Sequence, residues 1–417
     1  MERLKGSCPS TLTRIPMYDV GAVRRDFPIL EKGVVYLDNA ASSLTPEQVV
    51  LKEMEYYREY RANVERGVHR FSQMASEEYE AAHDTVAEFI GAPGRENVAM
   101  VRNTTEAINL VANSLDWGKG DKIVTTVIEH HSNYITWLRV AQRHGCEVVV
   151  VRSNSEGIFD LADFEEAVDD ETRLVATTHV SNVLGCILPV KEIASIAHEH
   201  GALMLADGAQ GVPHLKTDVM DSGVDFLAFS GHKMLGPTGS GGLYIAEEQL
   251  ECTEPLFIGG GTIHDVSLNS YELALPPMKF EAGTPAIAQV IGLGEACRYL
   301  DRLGMENVEL WDERLARKLV EGLMEIEGVE IYGPRDPGQR VGLVSFNVWD
   351  VNPHDVALTL DSEYDIAVRS GHHCALPLMK EIFKLPDGNA RASTYLYNTM
   401  GEIDMLLGAV EDIAKGQ

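Results

Sequence analysis

The chain has 417 residues, of which 45% are hydrophobic and 24% charged; this globular balance excludes a disordered protein, and the length predicts two domains. Its 64 acidic against 35 basic residues leave a net charge of −29, a field that repels phosphate backbones and argues against nucleic-acid binding. The opening residues lack the apolar core of a signal peptide, no apolar run is long enough to span a bilayer, and the cysteines (8, 146, 186, 252, 297 and 374) follow no CxxC or framework spacing. A cytoplasmic protein without a membrane partner, in a reducing compartment, is the expectation.

The first residues are mixed in character and are expected to form an arm, 1–22, with Cys8 incidental to it. From Val34 to Leu250 apolar runs alternate with amphipathic stretches. Strands are predicted at Val34–Leu37, Val98–Val101, Ile123–Val127, Glu147–Val151, Leu174–Thr178, Leu203–Leu205 and Phe226–Phe229. Helices are predicted at Ser76–Ile90, Thr105–Ser114, Tyr134–His144, Leu161–Val168 and Val190–His200, several of them stopping at a glycine (Gly91, Gly145, Gly201). This alternation predicts an α/β domain with a mainly parallel sheet covered on both faces. Ligands of such sheets sit beyond the carboxyl ends of the strands. After about Pro285 the texture changes to long helices (Ala286–Leu303, Asn307–Ile326), short strands (Val329–Tyr332, Leu343–Val348) and a last helix near Glu402–Ala414. The expected organisation is a large domain over 23–285, whose first residues can pack with the other domain, and a smaller α+β domain over 286–417.

The chemistry-bearing residues follow the strands. Thr104 and Thr105 open a helix, whose free N–H groups and positive dipole suit an anion; a plain N-cap is the alternative. His130, in Glu129-His130-His131, can stack on a flat ligand or carry a proton. Adjacent residues of an extended segment point opposite ways, so one metal rarely takes both histidines. Asp207 directly follows an apolar run, and a carboxylate in such a place requires a cationic partner. A pyridinium nitrogen would serve, and a protonated pyridinium ring is the electron sink of pyridoxal phosphate chemistry; a strand-end turn is the plainer reading. Phe226–Phe229 then delivers Lys233 into a glycine-rich turn. A lysine at the rim of an apolar core tends to lose its charge, and the neutral amine is a nucleophile suited to Schiff-base formation; a solvent-facing lysine at a strand end is the alternative. Hydroxyl-lined helix start, flat histidine, Asp-x-x-Gln and Ser-x-His-Lys, each at a strand end, together make the layout of a pyridoxal phosphate site.

Ala206-Asp-Gly-Ala-Gln210 and Phe229-Ser-Gly-His-Lys233 resemble the class V aminotransferase family of pyridoxal phosphate enzymes. Tyr36-Leu-Asp-Asn-Ala-Ala-Ser42, Arg66-Gly-Val-His69, Thr178-His-Val-Ser-Asn182 and Phe280-Glu-Ala-Gly-Thr-Pro285 extend the match. Val368-Arg369-Ser-Gly-His-His-Cys374 and Arg391-Ala-Ser-Thr-Tyr-Leu-Tyr-Asn398 are similar to the type II cysteine desulfurases. The resemblance runs from about residue 20 to the C-terminus. It implies a fold-type I, aspartate aminotransferase-like large domain. It implies that Lys233 holds the cofactor and moves the substrate's Cα proton, that Asp207 pairs with the ring nitrogen, that His130 stacks on the ring and that Gln210 bonds its oxygen. Thr105, Ser230 and His232 are implied to hold the phosphate, joined by Thr284 from the second subunit of a homodimer. Arg391 matches the arginine that binds the substrate carboxylate, with Asn182 close to it and to the ring; Arg369 and His69 map near the pocket.

Cys374 decides the reaction. The thiolate is the nucleophile, and Arg369 and the neighbouring histidines are candidate sources of the positive charge that favours it. An inert buried cysteine is the alternative; a His-His-Cys metal site would need further convergent ligands, so no metal is expected. The implied activity converts L-cysteine to L-alanine with a persulfide left on Cys374, and passes the sulfur to an acceptor protein of iron–sulfur cluster assembly. The alternatives are a selenocysteine lyase or another class V lyase and, from a different class, a non-catalytic scaffold. The segment from Ile366 to Arg369 is short, without the longer insertion of type I desulfurases, which implies slow turnover unless an acceptor removes the sulfur.

Overall fold

The computed structural model describes residues 18–154 and 156–416; Cys8 and most of the expected arm lie outside the described residues. Seven strands form the central sheet, in the spatial order Val98–Val101, Gly241–Ile245, Phe226–Ser230, Leu203–Asp207, Thr172–Thr178, Lys122–Thr126, Glu147–Val151. Gly241–Ile245 alone runs against its neighbours, and the other pairings are parallel. Alternate residues feed two cores. Phe226 and Ala228 pack with Ile123, Ala176 and Leu205 on one face; Leu227 and Phe229 pack with Val124, Val175 and Met204 on the other. Burial on both faces is why these strands read as unbroken apolar runs.

The expected helices form as Arg70–Phe89, Thr104–Ser114, Ile135–His144, Leu161–Ala167 and Val190–Glu199, and the expected stops Gly91, Gly145 and Gly201 all take positive φ. Gly241–Ile245 was not anticipated. Its two glycines hide the strand pattern, yet the structure needs both: a Cβ on Gly241 would lie 2.5 Å from the Phe229 carbonyl oxygen, and one on Gly242 2.3 Å from the Phe229 ring.

The second sheet has the order Val329–Tyr332, Leu343–Val348, Asn389–Ser393, Arg369–Gly371, antiparallel throughout. Helices Met305–Glu325, Pro353–Tyr364 and Met400–Ala414 cover it, with Leu319, Phe346, Leu360 and Leu406 in one core. Two segments bear on the division into domains. The run Val34–Leu37 is not in the large sheet: Val35–Tyr36 pairs in parallel with Ile366–Ala367, and Val35 and Leu37 are buried in the smaller core. Helix Ile287–Leu303, expected in the smaller domain, lies against Arg70–Phe89. A side chain at Gly294 would meet Ala82 Cα at 2.9 Å, so the missing Cβ lets the two helices close. Among the described residues no helix is long and apolar enough to cross a membrane.

Candidate active site

The carboxyl ends of five strands converge on a cavity of about 230 Å³. At one end, helix Thr104–Ser114 begins, with the Asn103 side chain accepting the Glu106 N–H at 3.0 Å. The Thr104 hydroxyl lies 2.7 Å from Ser230 Oγ and the Thr105 hydroxyl 2.7 Å from Ser132 Oγ. Hydroxyls gathered at a helix N-terminus make a place for a compact anion. His232 joins them, its Nδ1 3.3 Å from Ser42 Oγ; burial, then the Lys233 charge, lowers its pKa to about 4.

At the floor, the Asp207 carboxylate is buried and accepts the Ala209 N–H at 3.0 Å. Burial raises its pKa; that hydrogen bond and Lys233 act the other way. Desolvation is thus not fully offset by the protein, and the carboxylate suits an added cation. Lys233, in the turn after Phe226–Ser230, has its pKa lowered to about 8 by burial, with Asp207 opposing and Arg391 and Arg369 assisting. About a fifth of its amine is therefore neutral at pH 7.4, far more than for an ordinary lysine titrating at about 10.4. His130 accepts the Ser132 N–H at Nδ1, 3.1 Å, so the neutral ring carries its proton on Nε2. Burial and the Lys233 charge hold its pKa near 3. Gln210 donates from Nε2 to the Ala40 carbonyl at 2.7 Å. Behind this floor Glu129 accepts from Thr126, the Thr178 N–H and Asn133, tying two strand ends together; burial pushes its pKa up to about 8 against those bonds.

The second sheet closes the cavity. Arg391, on the central strand Asn389–Ser393, is 1% exposed. Its Nη1 donates to the Asn182 carbonyl at 2.8 Å and its Nη2 to Asp38 Oδ1 at 3.0 Å, while Nε has no partner. Arg369 stands directly opposite on the neighbouring strand. Like charges so placed are destabilising in a sheet and supply an anion-attracting wall. The Cys374 loop crosses above it. Asn182 Nδ2 donates to the His373 carbonyl at 2.7 Å, and the His131 N–H to the Cys374 carbonyl at 2.7 Å. His373 and Cys374 are both left-handed, φ 49° and 59°, a region that non-glycine residues seldom enter.

The cavity brings together ten of the residues singled out from sequence: Thr105, His130, Asn182, Asp207, Gln210, Ser230, His232, Lys233, Arg369 and Arg391. Three lie elsewhere. Thr284 is exposed in a separate depression with Arg102 and Phe257. His69 is exposed and caps helix Arg70–Phe89 by accepting the Ser72 N–H, outside the lining of the cavity. Cys374 is half-buried beside the cavity, whose wall is formed by its neighbour His373. The expected charge around Cys374 also needs correcting. Burial takes the pKa of His373 well below the ordinary value, so that neighbour of Cys374 is neutral and adds no charge, while Arg369 remains a source of it. Sequence reasoning missed Asp38 as the partner of Arg391, although Asp38 stands within the quoted Tyr36–Ser42 motif. It also missed Asn103, whose signal was its N-cap position.

An amine of lowered pKa, a buried carboxylate, a neutral flat imidazole, an anion cradle and a guanidinium with a free N–H converge here. That set fits an anionic, heteroaromatic aldehyde cofactor and an amino-acid substrate. The aminotransferase class-V family model matches residues 35–406, and the chain belongs to that family. Within it, a probable cysteine desulfurase of Pyrococcus abyssi is 48% identical over 396 residues, covering 94% of this chain and 97% of that protein. The apo structure of cysteine desulfurase from Thermococcus onnurineus NA1 superposes with a TM-score of 0.91 at 48% identity, covering 97% of this chain and 99% of that one. A C-DES mutant with glycine covalently linked to its PLP cofactor superposes with a TM-score of 0.82 at 25% identity, over 93% and 99% of the two chains.

Proposed function

We propose that this chain is a pyridoxal phosphate-dependent cysteine desulfurase, releasing L-alanine from L-cysteine and keeping the sulfur as a persulfide on Cys374. The observation that carries the reading is the meeting of the Lys233–Asp207–His130 floor with a cysteine loop at one cavity. The cofactor, when bound, supplies an aldehyde carbon for an amine and an electron-accepting ring. Lys233 Nζ is the amine that holds it and the base that moves the substrate's Cα proton. Asp207 carries the charge that partners the ring nitrogen, His130 offers its ring face, and Gln210 has a second amide hydrogen to give. Thr105, Ser230 and His232 hold the phosphate. Arg391, through Nε, takes the substrate carboxylate with Asn182 beside it, and Arg369 adds to the positive wall.

Cys374 Sγ, as the thiolate, attacks the sulfur of the substrate. The S–S bond forms and the C–S bond breaks; the carbon side leaves as alanine after taking a proton. The sulfur then passes to a thiol of an acceptor protein serving iron–sulfur cluster assembly. The reading includes a homodimer, in which Thr284 and His69 serve the partner's cavity. It is supported by their exposure away from their own cavity and by exposed apolar residues at Phe257, Ile258 and Leu268. The sister reading is a selenocysteine lyase, and replacing Cys374 by Ala separates the two. A desulfurase variant keeps its cofactor absorbance and loses alanine formation from cysteine. Unchanged alanine formation would refute the role of Cys374, and activity confined to selenocysteine in the native enzyme would favour the sister reading.

A further inference from the structure

We infer that His131 is a positioning residue for the Cys374 loop, holding it at two main-chain groups that directly follow the thiol; the inference rests on Cys374 being the sulfur-accepting group. Its main-chain N–H donates to the Cys374 carbonyl at 2.7 Å. Its ring Nε2 accepts the Leu376 N–H at 3.1 Å. One residue thus closes a clamp on the three-residue segment that carries the thiol. That segment needs a clamp: His373 and Cys374 sit in successive left-handed conformations, which persist only where the surroundings over-determine them. An imidazole that accepts at Nε2 is neutral, with its proton on Nδ1, and partial burial of His131 favours that form.

The partner end of the clamp is the cavity itself. His130, the preceding residue, lines the cavity, with its ring tilted 48° from that of His131 and the two centroids 6.4 Å apart. His130 is the extended N-cap residue, φ −60° and ψ 146°, of the short 3-10 turn His131–Asn133, so one dipeptide faces the cofactor side with His130 and the thiol loop with His131. The loop is thereby registered against the floor of the site through the bonds to the Cys374 carbonyl and the Leu376 N–H. Loss of the ring bond leaves the main-chain bond intact and lets the segment relax toward ordinary φ values.

The test compares two amides of different reach. In His131→Gln the side-chain oxygen extends about as far as Nε2; in His131→Asn it stops one carbon short. The rate of alanine formation from cysteine, the KM for cysteine and the cofactor absorbance are measured for each, with Cys374→Ala alongside. His131→Asn is expected to lower kcat about fivefold, the value of one hydrogen bond, with KM and absorbance changed less than about twofold. His131→Gln is expected to return kcat to within about twofold of the native enzyme. Equal rates for Asn and Gln, or a loss in KM or absorbance instead of kcat, would overturn the inference while leaving the role of Cys374 standing. Full activity of Cys374→Ala would overturn both. His131→Leu, which also lacks the acceptor, makes the same comparison if the Asn variant does not fold.

Discussion

At the floor of the cavity, Lys233 and Asp207 stand at the ends of two buried strands that pair in parallel with each other, and His130 follows another buried strand of the same sheet. In the Cys374 loop, the thiol rides on a turn with two left-handed residues, held by hydrogen bonds from Asn182 and His131. The floor is rigid because both faces of its strands are packed, so a charged group there is tuned by desolvation. The loop is held by a few polar bonds, so its chemistry depends on where those bonds place it. Capturing the amine and taking up the sulfur are thus assigned to regions with different tolerance to change.

The largest expected effect lies at the floor. Lys233→Ala should lose borohydride-trappable cofactor and lower alanine formation by about 10³-fold, in the range of a lost acid–base group; turnover near the native rate would remove Lys233 from the chemistry. Between the two regions, Arg391→Lys replaces a fork held by Asp38 and Asn182 with a point charge. The KM for cysteine should rise about tenfold, since charge-assisted hydrogen bonds are each worth about 1.5–3 kcal/mol, with cofactor absorbance retained. An unchanged KM would place the carboxylate elsewhere. The smallest effect is a shape in pH. With Lys233 titrating near 8, its neutral fraction falls about tenfold per pH unit below that value. Capture of added pyridoxal phosphate by the apo-protein should therefore rise with pH and level off above about 8. A rate still climbing toward about 10.4, the ordinary lysine value, would mean that burial does not tune this amine.

The same contrast explains what was legible in the sequence. Phe226–Phe229 and Ala202–Leu205 announce themselves as buried strands, so Lys233 and Asp207 could be placed at a sheet edge from local pattern alone. Gly241–Ile245 could not, because its glycines answer to the carbonyl and the ring of Phe229 on a neighbouring strand. Helix Ile287–Leu303 carries no local mark of the partner it packs on. Cys374 was picked out by resemblance, since nothing near it in the chain distinguishes it from the other cysteines. The clamp from His131 lies 245 positions away from Leu376 in sequence, and the neutrality of His373 follows from burial, which only the fold reveals.

The central claim is that the floor prepares the substrate and Cys374 takes its sulfur. Its most direct test is peptide mass spectrometry of the holoenzyme after brief exposure to L-cysteine, without an acceptor. The account predicts one added sulfur atom on the peptide containing Cys374, absent from Lys233→Ala. Alanine release with Cys374 unmodified, or sulfur carried by another cysteine, would contradict it.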